Sequence, residues 1–515
     1  MRNRKLRVTS LLLALVMSAG LLAGCSSDGS SGNNSSSGEG GAAKDSITIA
    51  TMGETPSLSP TEHNAVAGDY MNLLTYNKLF KSDMDMNPVP DLVDSYENIS
   101  DTEWQFKIKQ GVKFHDGSEM TVEDVKASLE WAQGFAEVNL YNKDIVSVDI
   151  VDETTVKITT DGPDAMLLDN LCHHGNSIVP KKLIDEGHDF NTEPIGTGPY
   201  KLVEWNRGDS LVFEAFEDYF GGAPAIKHMT WKIIPEGSSR TIALEAGEVD
   251  FIVEVENMDA DRLRENPDVE VIEYENTSVN WLMLNNEKPG LDNENVRHAI
   301  NTAIDKESVI TVALNGMGKP ALSQMPMNFA GATEENADTY DAAKAQEWLD
   351  QSGVDPSTIS LPIICSDDTK KRAGEVIQAN LKDVLGIECE LENMDLATYL
   401  SITAEGDYTA AIGNYSSTDM VQYLIGVYHS VSINASNKTR LNDPEVDALI
   451  DQAAATIDPD ERAKVLEECI ALINEKCPQV PLYQDMHIRA YNDKLGGVIM
   501  YPGGTLFMHA MYWQE

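Results

Sequence analysis

The sequence predicts an exported protein whose folded body is a mixed α/β structure of two or three domains. Strand-like and helix-like stretches alternate along the whole chain. The body, about residues 46–515, is longer than one hydrophobic core usually supports. The full chain's hydrophobic fraction of 42% and charged fraction of 24% are those of a globular protein. After the N-terminus no second run of about 18 apolar residues occurs, so no later segment is expected to cross a membrane.

The N-terminus sets the compartment. Arg2, Arg4, Lys5 and Arg7 precede an apolar run from Val8 to Leu22, which ends in Leu22-Ala23-Gly24-Cys25. A cationic start, a short apolar region and a small-residue cleavage site form an export signal. The final tetrad resembles a bacterial lipobox, which implies cleavage before Cys25 and a diacylglycerol thioether on its sulfur. Residues 1–24 are then a lipoprotein signal peptide, and a doubly or triply acylated Cys25 anchors the chain to the outer face of the cytoplasmic membrane. An ordinary secretory signal or an N-terminal membrane anchor is the competing reading. Residues 25–45 are mostly Ser, Gly, Asn, Ala and acidic residues, the composition of a flexible leash.

The formal net charge is -46, and loss of the signal peptide removes four more basic residues. Such a field opposes nucleic acid and anionic lipid, and it keeps a secreted protein soluble. With Cys25 lipidated, Cys172, Cys365, Cys389, Cys469 and Cys477 remain, an odd set with no CxxC pair. Cys365 and Cys389 fall in two candidate neighbouring strands, close enough in that reading to pair.

Along the body, Trp104-Gln-Phe106-Lys-Ile108-Lys alternates as a half-buried strand does. Thr121-Val-Glu-Asp124 has the form of a capping box, with Val122, Val125 and Leu129 on one helical face behind it. Two strand-like runs, 147–152 and 155–159, flank a short polar turn and predict a hairpin. Strand-like runs at 359–365 and 387–391 flank a helical stretch at 371–385, which predicts a parallel pair with a right-handed crossover. Asp443-Pro444 and Asp458-Pro459 each place a capping carboxylate before a first-turn proline.

Catalytic motifs are missing. There is no GxSxG, Walker loop, HExxH or GxGxxG. Gly196-Thr-Gly198-Pro-Tyr200 is followed by no helix start and reads as a rigid turn. His173 and His174 adjoin Cys172, but no further ligand completes a metal spacing, so neither a metal nor a cofactor is expected. The chain is expected not to be an enzyme.

Five stretches in order resemble the extracytoplasmic solute-binding proteins of peptide and nickel ABC importers, family 5, of oligopeptide- and dipeptide-binding type. They are Trp104 through Phe114-His115-Asp116-Gly117 with Met120-Thr121; Gly196-Thr197-Gly198-Pro199-Tyr200 with Gly222-Ala-Pro224; Ala243-Leu-Glu-Ala-Gly247-Glu-Val-Asp250; Val296-Arg297-His-Ala-Ile300 with Asp305; and Asn442-Asp-Pro444 through Arg462 to Pro478-Gln-Val-Pro481-Leu-Tyr483. The resemblance implies an α/β, two-lobed periplasmic-binding-protein-like fold (class II, cluster C type), which the chain crosses twice, near 280–286 and 479–484. Lobe I would hold 46–284 plus 480–515, with an extra subdomain at 82–192, and lobe II would hold 285–479.

The resemblance further implies a monomeric receptor that captures a peptide between closing lobes and hands it to an ABC permease. Nickel chelate, haem or sugar cargo on the same scaffold is the alternative. An exported enzyme or an envelope interaction protein is the alternative of another class. In dipeptide binders an Asp in a lobe II loop meets the ligand amine; the matching stretch here is Asn414-Tyr415-Ser416-Ser417-Thr418-Asp419, with Ser417 at the aligned position. Either Asp419 takes that role from two residues on, or no charged anchor exists. Glu54 and Thr55, after the first strand, are the lobe I candidates. Cys25→Ala is expected to release the protein from membranes into the medium without altering ligand binding, as fractionation would show.

Overall fold

The computed structural model describes residues 44–514 except 85, 418, 502 and 503. The signal peptide, Cys25 and nearly all of the 25–45 linker lie outside the described residues.

One large mixed sheet organises the body. Its strand order is Leu391–Asn393, Ile363–Cys365, Ala410–Ser416, Ser278–Leu284, Gln479–Asn492, Phe251–Ile252, Ser46–Thr51, His228–Ile233, Ser210–Ala215 and Tyr200–Asn206. Gln479–Asn492 belongs to both halves. Its first residues pair with Ser278–Leu284, and Tyr483 to Asp485 with Gly318–Pro320; from Met486 onward it pairs with Val269–Glu275. The strands Val269–Glu275 and Ser278–Leu284 follow each other directly, so the chain passes between the halves at 276–277 and again at 485–486. The two passages are tied together: Asn276 N donates to the Asp485 carbonyl at 3.1 Å, and the Gln484 amide donates to the Asn276 carbonyl.

Each half has its own core. Ile47, Ile49, Tyr70, Phe213, Trp231 and Phe251 cluster in the first. In the second, one cluster is built on Leu282, Ile300, Ile377 and Ile412, another on Trp281, Tyr423, Ile450 and Ile470. A separate four-stranded antiparallel sheet, Val93–Ser100, Glu103–Ile108, Thr155–Thr160 and Ile145–Asp152, encloses a core of Phe106, Val125, Leu129 and Ile158. It contains the expected hairpin, and helix Val122–Ala132 starts at the expected box, where Asp124 Oδ2 accepts from Thr121 N at 2.8 Å.

The parallel pair is observed, but with shorter strands. Ile363–Cys365 pairs with Leu391–Asn393 around helix Asp368–Leu385. Ile359, Leu361 and Ile387 are buried without being strands, because a 3₁₀ turn at Pro356–Thr358 and the left-handed Gly386 interrupt the runs. Cys365 and Cys389 are unpaired, as are Cys172, Cys469 and Cys477. Gly196 and Gly198 are required by close approach: a Cβ at either would lie within 2.4 Å of the Thr75 backbone.

The Val296-Arg297-His298 stretch proves to be an end-piece for another helix. Arg297 donates to the carbonyls of Cys477 (2.9 Å), Lys476 (2.6 Å) and Leu291 (2.9 Å), and His298 Nε2 to that of Glu475 (2.8 Å). Two cations thus satisfy the orphan carbonyls of helix Pro459–Lys476 and complement its dipole. Burial works against a charged His298, but the Asp338 carboxylate 2.5 Å from Nδ1 outweighs it and raises the ring's pKa above its ordinary value. That pair stabilises the fold fully below about pH 6.5 and loses its effect as pH rises through the raised value. Asp338→Asn is expected to cost about 1–3 kcal/mol at pH 5.5. The gap to wild type should shrink by pH 9, as guanidinium unfolding at the two pH values would measure.

Candidate functional site

The residues singled out from sequence fall into two groups, one in each half of the sheet. Glu54 and Thr55 follow strand Ser46–Thr51. Glu54 Oε1 accepts from Trp205 Nε1 at 2.8 Å and from Gly208 N at 3.1 Å, so its charge is used to pin a neighbouring hairpin. Thr55 is buried, with its hydroxyl donating to the Ser57 carbonyl at 2.5 Å.

Asn414, Tyr415, Ser417 and Asp419 come together where strand Ala410–Ser416 runs into helix Met420–Val427. Asn414 is exposed and opposite Asn280. Tyr415 lies half-buried over Gly426, where a Cβ would meet its hydroxyl at 2.7 Å, and edge-on to Tyr423. Ser417 Oγ accepts from Asp419 N, and Asp419 Oδ1 accepts from Gln422 N at 2.7 Å as the helix N-cap. Asp419 is therefore spent on its own helix. Burial raises its pKa, against the opposing pull of Gln422 N–H and Arg462. The strand that leads to this loop is paired along one side by Ser278–Leu284. On its other side, among the described residues, it is paired only at Ala410 and Ala411 by Ile363–Ile364. The Tyr399 hydroxyl covers this side at Ile412 and Gly413, and Asn414 to Ser416 carry no second strand partner among the described residues.

Sequence reasoning missed a cluster of rings elsewhere. Tyr141 stacks on His173 at 3.5 Å; His173 adjoins His174, and His174 lies 4.7 Å from His63. Asp69 Oδ1 sits 2.6 Å from His174 Nδ1. Burial, with His174 adding, pushes His63 down to about 4. His63, Asp69 and His174 could face one metal ion, but His174 Nε2 bonds the His63 carbonyl at 3.0 Å while Nδ1 faces Asp69, and His63 Nδ1 accepts from Ala65 N. Asp69 Oδ1 itself is buried without a hydrogen bond. His63 and Asp69 lie more than 100 positions from His173 and His174 in sequence, so no local spacing joins the two groups.

Two surface hollows, of about 530 Å³ beside Lys201 and Phe216 and about 490 Å³ beside Asn293 and Val354, include none of these residues.

Comparisons with known proteins fit this architecture. The family described as bacterial extracellular solute-binding proteins, family 5 Middle, matches residues 87–435. The glutathione-binding protein GsiB of Salmonella paratyphi A is 28% identical over 90% of this chain and 93% of its own length. Heme-binding protein A of Haemophilus influenzae is 26% identical over 97% and 98%. Among solved structures, HbpA2 from Haemophilus parasuis superposes with a TM-score of 0.83 at 23% identity, covering 91% of this chain and 100% of that one. The oligopeptide-binding protein AppA of Bacillus subtilis, in complex with a nonapeptide, does so at 0.72 and 23%, covering 92% and 99%. NikZ of Campylobacter jejuni, in complex with Ni(L-His), does so at 0.74 and 23%, covering 91% and 99%. These likenesses fix the fold as two-lobed.

Glu54→Ala is expected to destabilise the protein by about 1–2 kcal/mol, because the half-buried Trp205 N–H loses its acceptor, whereas Glu54→Gln keeps an oxygen there and costs less. Urea unfolding midpoints of the two variants would measure the difference.

Proposed function

Because this chain belongs to the family 5 extracellular solute-binding proteins of ABC importers, we propose that it is a lipid-anchored, monomeric receptor for an oligopeptide. It works outside the cytoplasmic membrane and delivers its ligand to a permease in that membrane. The anchor is Cys25, and the ligand lies between lobes that close over it. The change of partners along Gln479–Asn492 favours lobe boundaries at 276–277 and 485–486 in place of 284 and 480.

The observation that carries the peptide reading is the singly paired strand edge at Asn414 to Ser416. An extended peptide adds to such an edge through its main chain, independently of its side chains. The acids expected to meet a ligand terminus are already bonded: Glu54 to Trp205, Asp419 to Gln422. That favours a ligand held along its length over a dipeptide held by its ends. Relatives named for glutathione and haem, and a neighbour holding a nickel chelate, make a non-peptide solute the second reading.

Native mass spectrometry of the protein purified from its own source medium tests this. A ladder of co-purified peptides is expected. A haem, metal chelate or sugar in their place would overturn the peptide assignment and leave the receptor intact.

A further inference from the structure

Residues 162–170 of the subdomain reach into lobe II, where Met86 also packs on the lobe II core. Met166 and Leu167 are adjacent in sequence but enter different cores. Leu167 joins the subdomain cluster with Phe106 and Val125; Met166 is buried in the lobe II cluster with Val446, Ile450 and Leu466. In return, Ile457 of lobe II packs against the subdomain core. The backbones are joined as well: Ala165 N donates to the Ala454 carbonyl at 3.1 Å, and Arg462 Nη1 donates to the Ala165 carbonyl at 2.6 Å.

Beneath this seam Arg462 lies between acids of both lobes. Asp169 Oδ2, buried and without a hydrogen bond, is 3.6 Å from Arg462 Nη2. Asp419, at the start of the lobe II helix, faces the same pair. One guanidinium cannot balance two half-buried carboxylates, so their repulsion opposes the seam unless one is protonated. We propose that residues 162–170 form an interlobe clasp that holds the cleft shut and takes up a proton between Asp169 and Asp419 as it closes. The proposal rests on the closing-receptor reading above.

The surrounding charges leave this balance in place. Asp164 faces the pair from the same segment, with Asp161 and Asp144 behind it. Arg462 and Asp419 face it from lobe II, and Lys78 and Asp91 lie beyond Cys172 on the subdomain side. Burial first, then the charge of Asp419, pushes Asp169 up to about 8 in the closed form. In the open form Asp169 returns to water and to an ordinary carboxylate value near about 4. An acid whose pKa is higher in the closed state favours closure at low pH. That advantage declines as pH rises from about 4 to about 8 and is gone above it.

Single-molecule energy transfer between dyes on Glu97→Cys and Glu467→Cys, both exposed positions on opposite sides of the seam, reads closure in the full chain without ligand. The closed-to-open ratio is expected to fall as pH is raised from 5 to 9, by at most about tenfold per pH unit. Asp169→Asn should remain closed with no pH dependence. Met166→Ala should lower the ratio about tenfold at every pH and keep the slope. A flat wild-type profile, or a slope surviving in Asp169→Asn, overturns the clasp. A tryptic peptide mixture added at pH 7 separates the two readings. Closure on peptides with no pH response overturns the clasp and keeps the receptor. A pH response with none to peptides keeps the clasp and overturns the peptide assignment. Lobes that respond to neither overturn both.

Discussion

The backbone of Gln479–Asn492 must be satisfied on both sides of a chain that spans two bodies, and most of the architecture follows from that. A strand shared by two sheets cannot end at the interface without leaving buried amides and carbonyls unpaired. The chain solves this by exchanging partners between Asp485 and Met486, with Val269–Glu275 and Ser278–Leu284 making the matching exchange alongside. The bonds that hold that exchange are local: Asn276 N to the Asp485 carbonyl, the Gln484 amide to the Asn276 carbonyl, and Asn280 to the Asp485 carboxylate at 2.7 Å.

Local signals were legible in the sequence because the residues that make them are neighbours. The box at Thr121, the carboxylate caps at Asp443 and Asp458 and the 145–160 hairpin all depend on spacings of a few residues, and all are found. The family motifs were legible as scaffold for a related reason: Arg297, Gly196 and Gly198 serve helix ends and close approaches that any member of the fold must build. What the sequence hid depends on distant residues. Asp419 reads as a free acid until its helix is seen to begin one residue later. Glu54 reads as a cleft residue until Trp205, 151 positions away, is seen to donate to it. His173 and His174 lacked partners within any ligand spacing, since His63 and Asp69 come from a helix start far upstream. Even the shared strand was read only as a crossing, because Pro481 and its polar residues blur the alternation.

The chain is strongly acidic, so its cations might be expected to pair with carboxylates. The buried arginines do otherwise. Arg240 donates to the carbonyls of Ile234, Pro235 and Glu254; Arg297 to those of Leu291, Lys476 and Cys477; Arg489 to those of Val253 and Gly504, and to the Tyr70 hydroxyl. A guanidinium stays charged in the interior and carries five donors in a fixed plane, so one side chain can close several chain ends at once. A carboxylate partner would have to be desolvated too, at a cost its attraction does not always return. Main-chain carbonyls are already inside and need a donor in any case.

Arg462, like Arg440 beside Glu287, departs from this pattern. It takes a carbonyl, that of Ala165, as the other arginines do, but it also faces carboxylates from two lobes. The other three lie within one half or cap a helix of the same half, so their bonds persist whatever the lobes do. The bonds of Arg462 exist only when the subdomain and lobe II meet. A cation in that position converts a generic means of closing chain ends into one conditional on closure, and the acids beside it make the condition depend on charge as well as on shape.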